Sequence, residues 1–121
     1  LFTDIEGSSR LWERYPKEMS EALQIHDRLV ERGVAEHSGK VFKTVGDAFC
    51  AAFFSPLEAV AAAEQIQKDL LSQKWPTPDP ISVRMALHVG EVDERNGDFF
   101  GPPLNRLARI VDLGNGGQIL C

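Results

Sequence analysis

Residues 41–54, VFKTVGDAFCAAFF, leave little freedom in how they can fold. Val41, Lys43 and Val45 alternate with Phe42 and Thr44, the two-residue period of a strand. Gly46-Asp47 is a turn signal, and residues 48–54 are a mostly apolar run suited to a buried strand. The segment therefore reads as a β-hairpin with a carboxylate, Asp47, at its tip. A second acid, Asp4, lies in LFTDIEGSS, a short apolar strand that runs into a Gly/Ser loop. Two carboxylates ~4 Å apart at an effective dielectric of ~20 repel by roughly 4 kcal/mol. Either one takes up a proton or a cation sits between them. A divalent cation, magnesium first, fits because it prefers the hard oxygens of carboxylates and phosphates.

The rest of the chain alternates between helix and strand signals. Residues 1–5 read as a strand. Glu6, Gly7, Ser8 and Ser9 form a loop whose backbone N–H groups can face an anion; the plainer alternative is a helix N-cap by Ser8 or Ser9. Residues 10–15 make a short helix, and Pro16 resets the chain. A longer helix follows over 17–37, with an apolar stripe of Met19, Ala22, Leu23, His26, Leu29, Val30, Gly33 and Val34. Gly39 reads as its left-handed cap. His26 and His37 have no partner motif and read as ordinary helix residues.

Ser55-Pro56-Leu57-Glu58 is a capping box with proline at the first helical position. It opens a helix to about residue 74 that buries Leu57, Val60, Ala61, Ile66 and Leu70. Residues 75–80, with three prolines, read as an exposed connector. Residues 81–89 alternate, placing Ile81, Val83, Met85, Leu87 and Val89 on one face. Asn96-Gly97 reads as a tight hairpin turn. Pro102-Pro103 opens a last helix to about Leu113, and residues 118–121 begin another strand. This mixture implies an α+β fold with helices packed on a sheet.

Size and charge narrow the function. The chain has 121 residues, room for one domain with its own core. Its net charge of −5 argues against direct nucleic-acid binding over a broad surface. No apolar run is long enough for a membrane segment. Cys50 and Cys121, without disulfide or metal spacing, read as a reducing, cytoplasmic setting. The first residue lies mid-strand and is not methionine, so a fragment of a longer protein is expected.

Other residues add chemistry. Asn105 and Arg109 are four apart on the expected last helix, so they share a face and can converge on one phosphoryl group. Lys43 offers donors and Asp98 acceptors, a combination that can read the N1/N6 edge of adenine. Lys43 and Asp47, four apart on an extended segment, are ~13 Å apart and cannot both touch one small group.

Together FTDIEGSS (2–9), FKTVGDAF (42–49) and DFFGPPLNRLAR (98–109) resemble the class III nucleotidyl cyclase catalytic domain, in its bacterial branch. The resemblance covers essentially the whole chain. It implies a ferredoxin-like or palm-like, antiparallel-rich sheet with helices packed on it, truncated at the C-terminus, and adenylate cyclase activity in signal transduction. Asp4 and Asp47 match the metal aspartates, with the Ile5 backbone assisting, for two Mg2+ or Mn2+ ions per site. Glu6, Gly7, Ser8 and Ser9 match the segment over the triphosphate, and Lys43 and Asp98 the adenine-specifying pair. Asn105 matches the ribose-orienting residue, and Arg109 the arginine on the pentavalent transition state. ATP is the implied substrate. The implied assembly is a homodimer with composite active sites, with ATPase or DNA-binding regulatory domains as possible fusions. A catalytically silent nucleotide-sensing module is the alternative. A diguanylate cyclase ranks third, since its Gly-Gly-Asp/Glu-Glu-Phe turn is replaced here by Val45-Gly46-Asp47-Ala48-Phe49.

Overall fold

A computed structural model describes residues 1–89, 93–95, 98–100, 117 and 119–120. The elements run β1 (Phe2–Ile5), α1 (Ser8–Arg14), α2 (Pro16–Glu36), β2 (Lys40–Val45), β3 (Ala48–Ala52), α3 (Pro56–Ser72), β4 (Val83–Ala86), β5 (Asp93–Arg95), β6 (Asp98–Phe100) and β7 (Ile119–Leu120). The main sheet has the order β2-β3-β1-β4-β7. Its β2/β3, β3/β1 and β1/β4 pairs are antiparallel, and β7 joins parallel to β4. This is the α+β, ferredoxin-like arrangement expected from the sequence. A separate two-stranded sheet pairs β5 with β6. Arg95 lies opposite Asp98, and the tight turn expected at Asn96-Gly97 lies outside the described residues. The expected helix over 102–113 lies outside the described residues.

Pairing decides which side chains share a face. Thr3, opposite both Phe49 and Met85, is fully buried, as are Met85 and Val83. Here the helices cover the sheet: the His26 ring of α2 tilts against Phe49 at 5.7 Å, and Gln67 of α3 donates to the Val83 carbonyl at 2.9 Å. Lys43, Cys50, Phe2 and Ala86 are in register on the other face, and Asp4 and Arg84 lie on that face too.

The α2 stripe is buried as expected, apart from Leu23, which is half-buried. Gly33 sits where a β-carbon would collide with the Ile66 side chain of α3. Gly33→Val should therefore destabilise the fold by about 1–3 kcal/mol, because Ile66 is fully buried and has no room to retreat. A lowered urea midpoint with an unchanged m-value would show it; an unchanged midpoint would contradict this account of the α2/α3 contact.

Several local expectations are corrected. The left-handed residue after α2 is Ser38, at φ 59°, and not Gly39. Gly39 is required for another reason: a β-carbon there would run into the Phe53 ring. Ser55 does cap α3, its Oγ accepting from the Glu58 N–H at 3.4 Å, but the buried face is Ala62, Ala63, Ile66, Gln67 and Leu70. Leu57 is 81% exposed and Val60 39%. The alanine-rich turn 61–63 fits either face, and packing against α2 chooses. The connector 75–80 is partly inside: Trp75 Nε1 donates to the Leu70 carbonyl at 3.1 Å, and buried Thr77 donates to the Asp79 carbonyl at 2.6 Å. The strand expected over 81–89 shortens to β4, and Val89 is exposed. Neither Ser8 nor Ser9 caps α1. Gly7, at φ 67°, takes the N-cap position without a side-chain bond, and both serines lie inside the helix.

Candidate active site

The hairpin tip and the end of β1 meet. Val45 pairs with Ala48, leaving Gly46-Asp47 as a two-residue turn in which Gly46 takes φ 59°. Glycine with positive φ at the first turn position suits the right-handed twist of the flanking strands. The turn carries Asp47 back over β1, where its Oδ1 accepts from the Ile5 backbone N–H at 3.3 Å. Asp4 immediately precedes Ile5. Asp47 is therefore anchored at the residue that follows Asp4 in the chain.

Asp4 already has a cation on it. Arg84 of β4 stands directly opposite Asp4 in the register. Its Nε donates to Asp4 Oδ1 at 2.8 Å and its Nη2 to Oδ2 at 2.5 Å, a two-pronged bond that engages both oxygens. The side chains are 23% and 19% exposed, respectively. Two charge-assisted hydrogen bonds, sheltered from most of the solvent, hold this pair more firmly than an exposed ion pair is held. Sequence reading missed Arg84. The signal was available, because Arg84 is the one charged residue in the alternating run 81–87, and the alternation turns it away from Val83 and Met85.

The arrangement could hold a hard divalent cation. Among the described residues no three His, Cys, Asp or Glu side chains gather around one point. A cation at Asp4 and Asp47 would therefore draw further ligands from substrate oxygens and water, as magnesium commonly does.

The base-reading candidates Lys43 and Asp98 lie on two strands that contact each other. Lys43 is exposed on the edge strand β2, after a register shift between Val41 and Lys43 that the sequence did not reveal. Strand β6, which begins at Asp98, packs beside β2. Lys43 and Asp4 share a face, yet two strand spacings, ~10 Å, separate them across the sheet. Glu6 and Gly7 form an exposed turn directly after β1. Asn105 and Arg109 lie outside the described residues.

One further group lies beneath the site. His26 is fully buried, its Nδ1 2.8 Å from Asp27 Oδ1. Its Nε2 and the Thr3 hydroxyl are buried side-chain polar atoms that find no hydrogen-bond partner among the described residues. Reading His26 as an ordinary stripe residue is right for its position but misses this.

Comparison with known proteins then decides the family. The profile of the adenylate and guanylate cyclase catalytic domain matches residues 1–121. The chain belongs to this family. It is 37% identical to an uncharacterised protein of Mycobacterium tuberculosis, over 99% of this chain and 40% of that one. It is 33% identical to an adenylate cyclase of Lachancea kluyveri, over 98% of this chain and 8% of that one. The cyclase domain thus spans less than half the length of these relatives. Among solved structures, an adenylate cyclase of Trypanosoma brucei, studied in its monomeric state, superposes with a TM-score of 0.87 at 27% identity. That match covers 98% of this chain and 68% of the other. Among the described residues no helix is long and apolar enough to cross a membrane.

Proposed function

We propose that this domain converts ATP to 3′,5′-cyclic AMP and pyrophosphate, as part of a longer signalling protein in the cytoplasm. The observation that carries this reading is that Asp47 is anchored to the backbone N–H of Ile5, the residue next to Asp4. The donor set there fits Mg2+ or Mn2+, two ions per site as the family resemblance implies, with the Ile5 backbone assisting. When bound, the metal lowers the pKa of the ribose 3′-hydroxyl and offsets charge on the phosphates. Asn105 orients the ribose so that the 3′-oxygen lies in line with the α-phosphorus. Arg109 donates to the phosphoryl oxygens as charge builds on them. Glu6, Gly7, Ser8 and Ser9 adjoin the triphosphate. Lys43 donates to adenine N1, and Asp98 accepts from the N6 amino group. No side-chain general base is evident in this set, so positioning and electrostatics supply most of the rate.

The site is completed by a second copy of the chain. The family resemblance implies such a homodimer, and edge strand β2 presents Lys43, Thr44 and Val45 as exposed residues that a partner can meet. The aspartates of one protomer and the Lys43, Asp98, Asn105 and Arg109 of its partner enclose one nucleotide, giving two sites per homodimer.

The deciding experiment incubates the full-length protein with ATP and Mn2+ and assays cyclic AMP. Product formation is expected. Nucleotide binding with no product would favour the silent sensing module. Arg109→Ala should lower turnover by ~10²–10³, as loss of one oxyanion donor does elsewhere. Turnover like that of the unaltered protein would remove Arg109 from the mechanism.

A further inference from the structure

The two acids of the site are held in different ways. Asp47 Oδ1 accepts from a neutral backbone N–H, so the rest of that carboxylate can take a cation without displacing charge. Both oxygens of Asp4 are engaged by a full positive charge. A divalent ion arriving at Asp4 meets that guanidinium at close range, in surroundings where both side chains are about four-fifths buried and water screens them poorly.

We propose that Arg84 is the resident counter-ion of Asp4 and competes with free divalent cation for that carboxylate. Asp47 is then the standing ligand and Asp4 the conditional one. This rests on the reading of Asp4 and Asp47 as metal ligands, and deepens it. The backbone cannot relieve the competition. Arg84 is fixed opposite Asp4 by the β1/β4 register, and β7 pairs with the far side of β4. Only a change in side-chain rotamer or in bonding partner frees the carboxylate. Free metal consequently binds weakly, and affinity rises when anything draws the guanidinium away.

The test uses Mn2+ alone, titrated into the full-length protein without nucleotide and followed by electron paramagnetic resonance. Arg84→Met, similar in volume and uncharged, should bind Mn2+ at least tenfold more tightly than the unaltered protein. Arg84→Lys should stay near the unaltered affinity, because it keeps the charge. Equal or weaker binding by Arg84→Met, with Mn2+ binding to the unaltered protein still dependent on Asp47, overturns the counter-ion role alone. Mn2+ binding that ignores Asp47 in every variant overturns the metal reading itself. Should Arg84→Met fail to fold, the unaltered protein suffices. Its Arg84 Nε–H resonance, held by Asp4, should shift as Mg2+ fills the site. An unmoved resonance at saturation sinks the proposal.

Discussion

Asp47→Ala should reduce metal-dependent cyclic AMP formation by about 10³-fold or more, while leaving the fold nearly intact. The two effects separate because Asp47 is a turn residue. Gly46 supplies the positive φ of the turn, and the pairing of Val45 with Ala48 closes it, so neither depends on the Asp47 side chain. The bond lost is the one from the Ile5 N–H, at 3.3 Å, worth about 1 kcal/mol. The carboxylate lost is the one held, among the described residues, by a neutral N–H and not by a guanidinium, so metal binding suffers most. Turnover with Mn2+, a melting curve and a metal titration together check this. Undiminished turnover would refute the metal assignment, whereas a collapsed melting temperature would expose Asp47 as a mainly structural residue.

Exchanging Lys43 for Glu and Asp98 for Cys should change the ATP/GTP ratio of kcat/KM by up to ~10⁴. A site that pairs a donor with adenine N1 and an acceptor with N6 leaves both groups unmatched against guanine, whose corresponding edge has the opposite polarity. Enclosed and unpaired, each group loses the full cost of its desolvation, and that cost gives discrimination its size. The exchange is mild for the fold, since Lys43 is exposed on an edge strand and Asp98 begins a short hairpin strand. Measuring both nucleotides under the same metal concentration decides it. A ratio that does not move would take base recognition away from these two residues.

What could be read in advance follows from what periodicity encodes. The α2 stripe and the hairpin around Gly46-Asp47 are local patterns, and each appears in the structure close to where the sequence puts it. The buried face of α3 was misread because alanines at 61–63 carry no direction; only the neighbouring helix supplies one. Gly39 was assigned a left-handed cap when its need is the nearby Phe53 ring, a contact between residues fourteen apart in sequence that no local rule contains. The acid pair was visible as chemistry, but its neutralisation was not. The sequence argument demanded a proton or cation for the aspartates, and Arg84, eighty residues beyond Asp4, already provides one. For Lys43 and Asp98, the sequence indicated only the residue types; that β6 packs beside β2 is a tertiary contact it did not contain.

The central place of β1 has a consequence for how such a domain goes wrong. With β3 bonded along one side and β4 along the other, a one-residue slip would exchange Thr3 for Asp4 on the helix-covered face. A carboxylate would then be driven into the apolar layer beside Met85 and Phe49, an outcome far too costly to persist. The slipped register is thereby disfavoured by the same residue that is proposed to bind the metal, so a folded population should contain few molecules with a displaced Asp4.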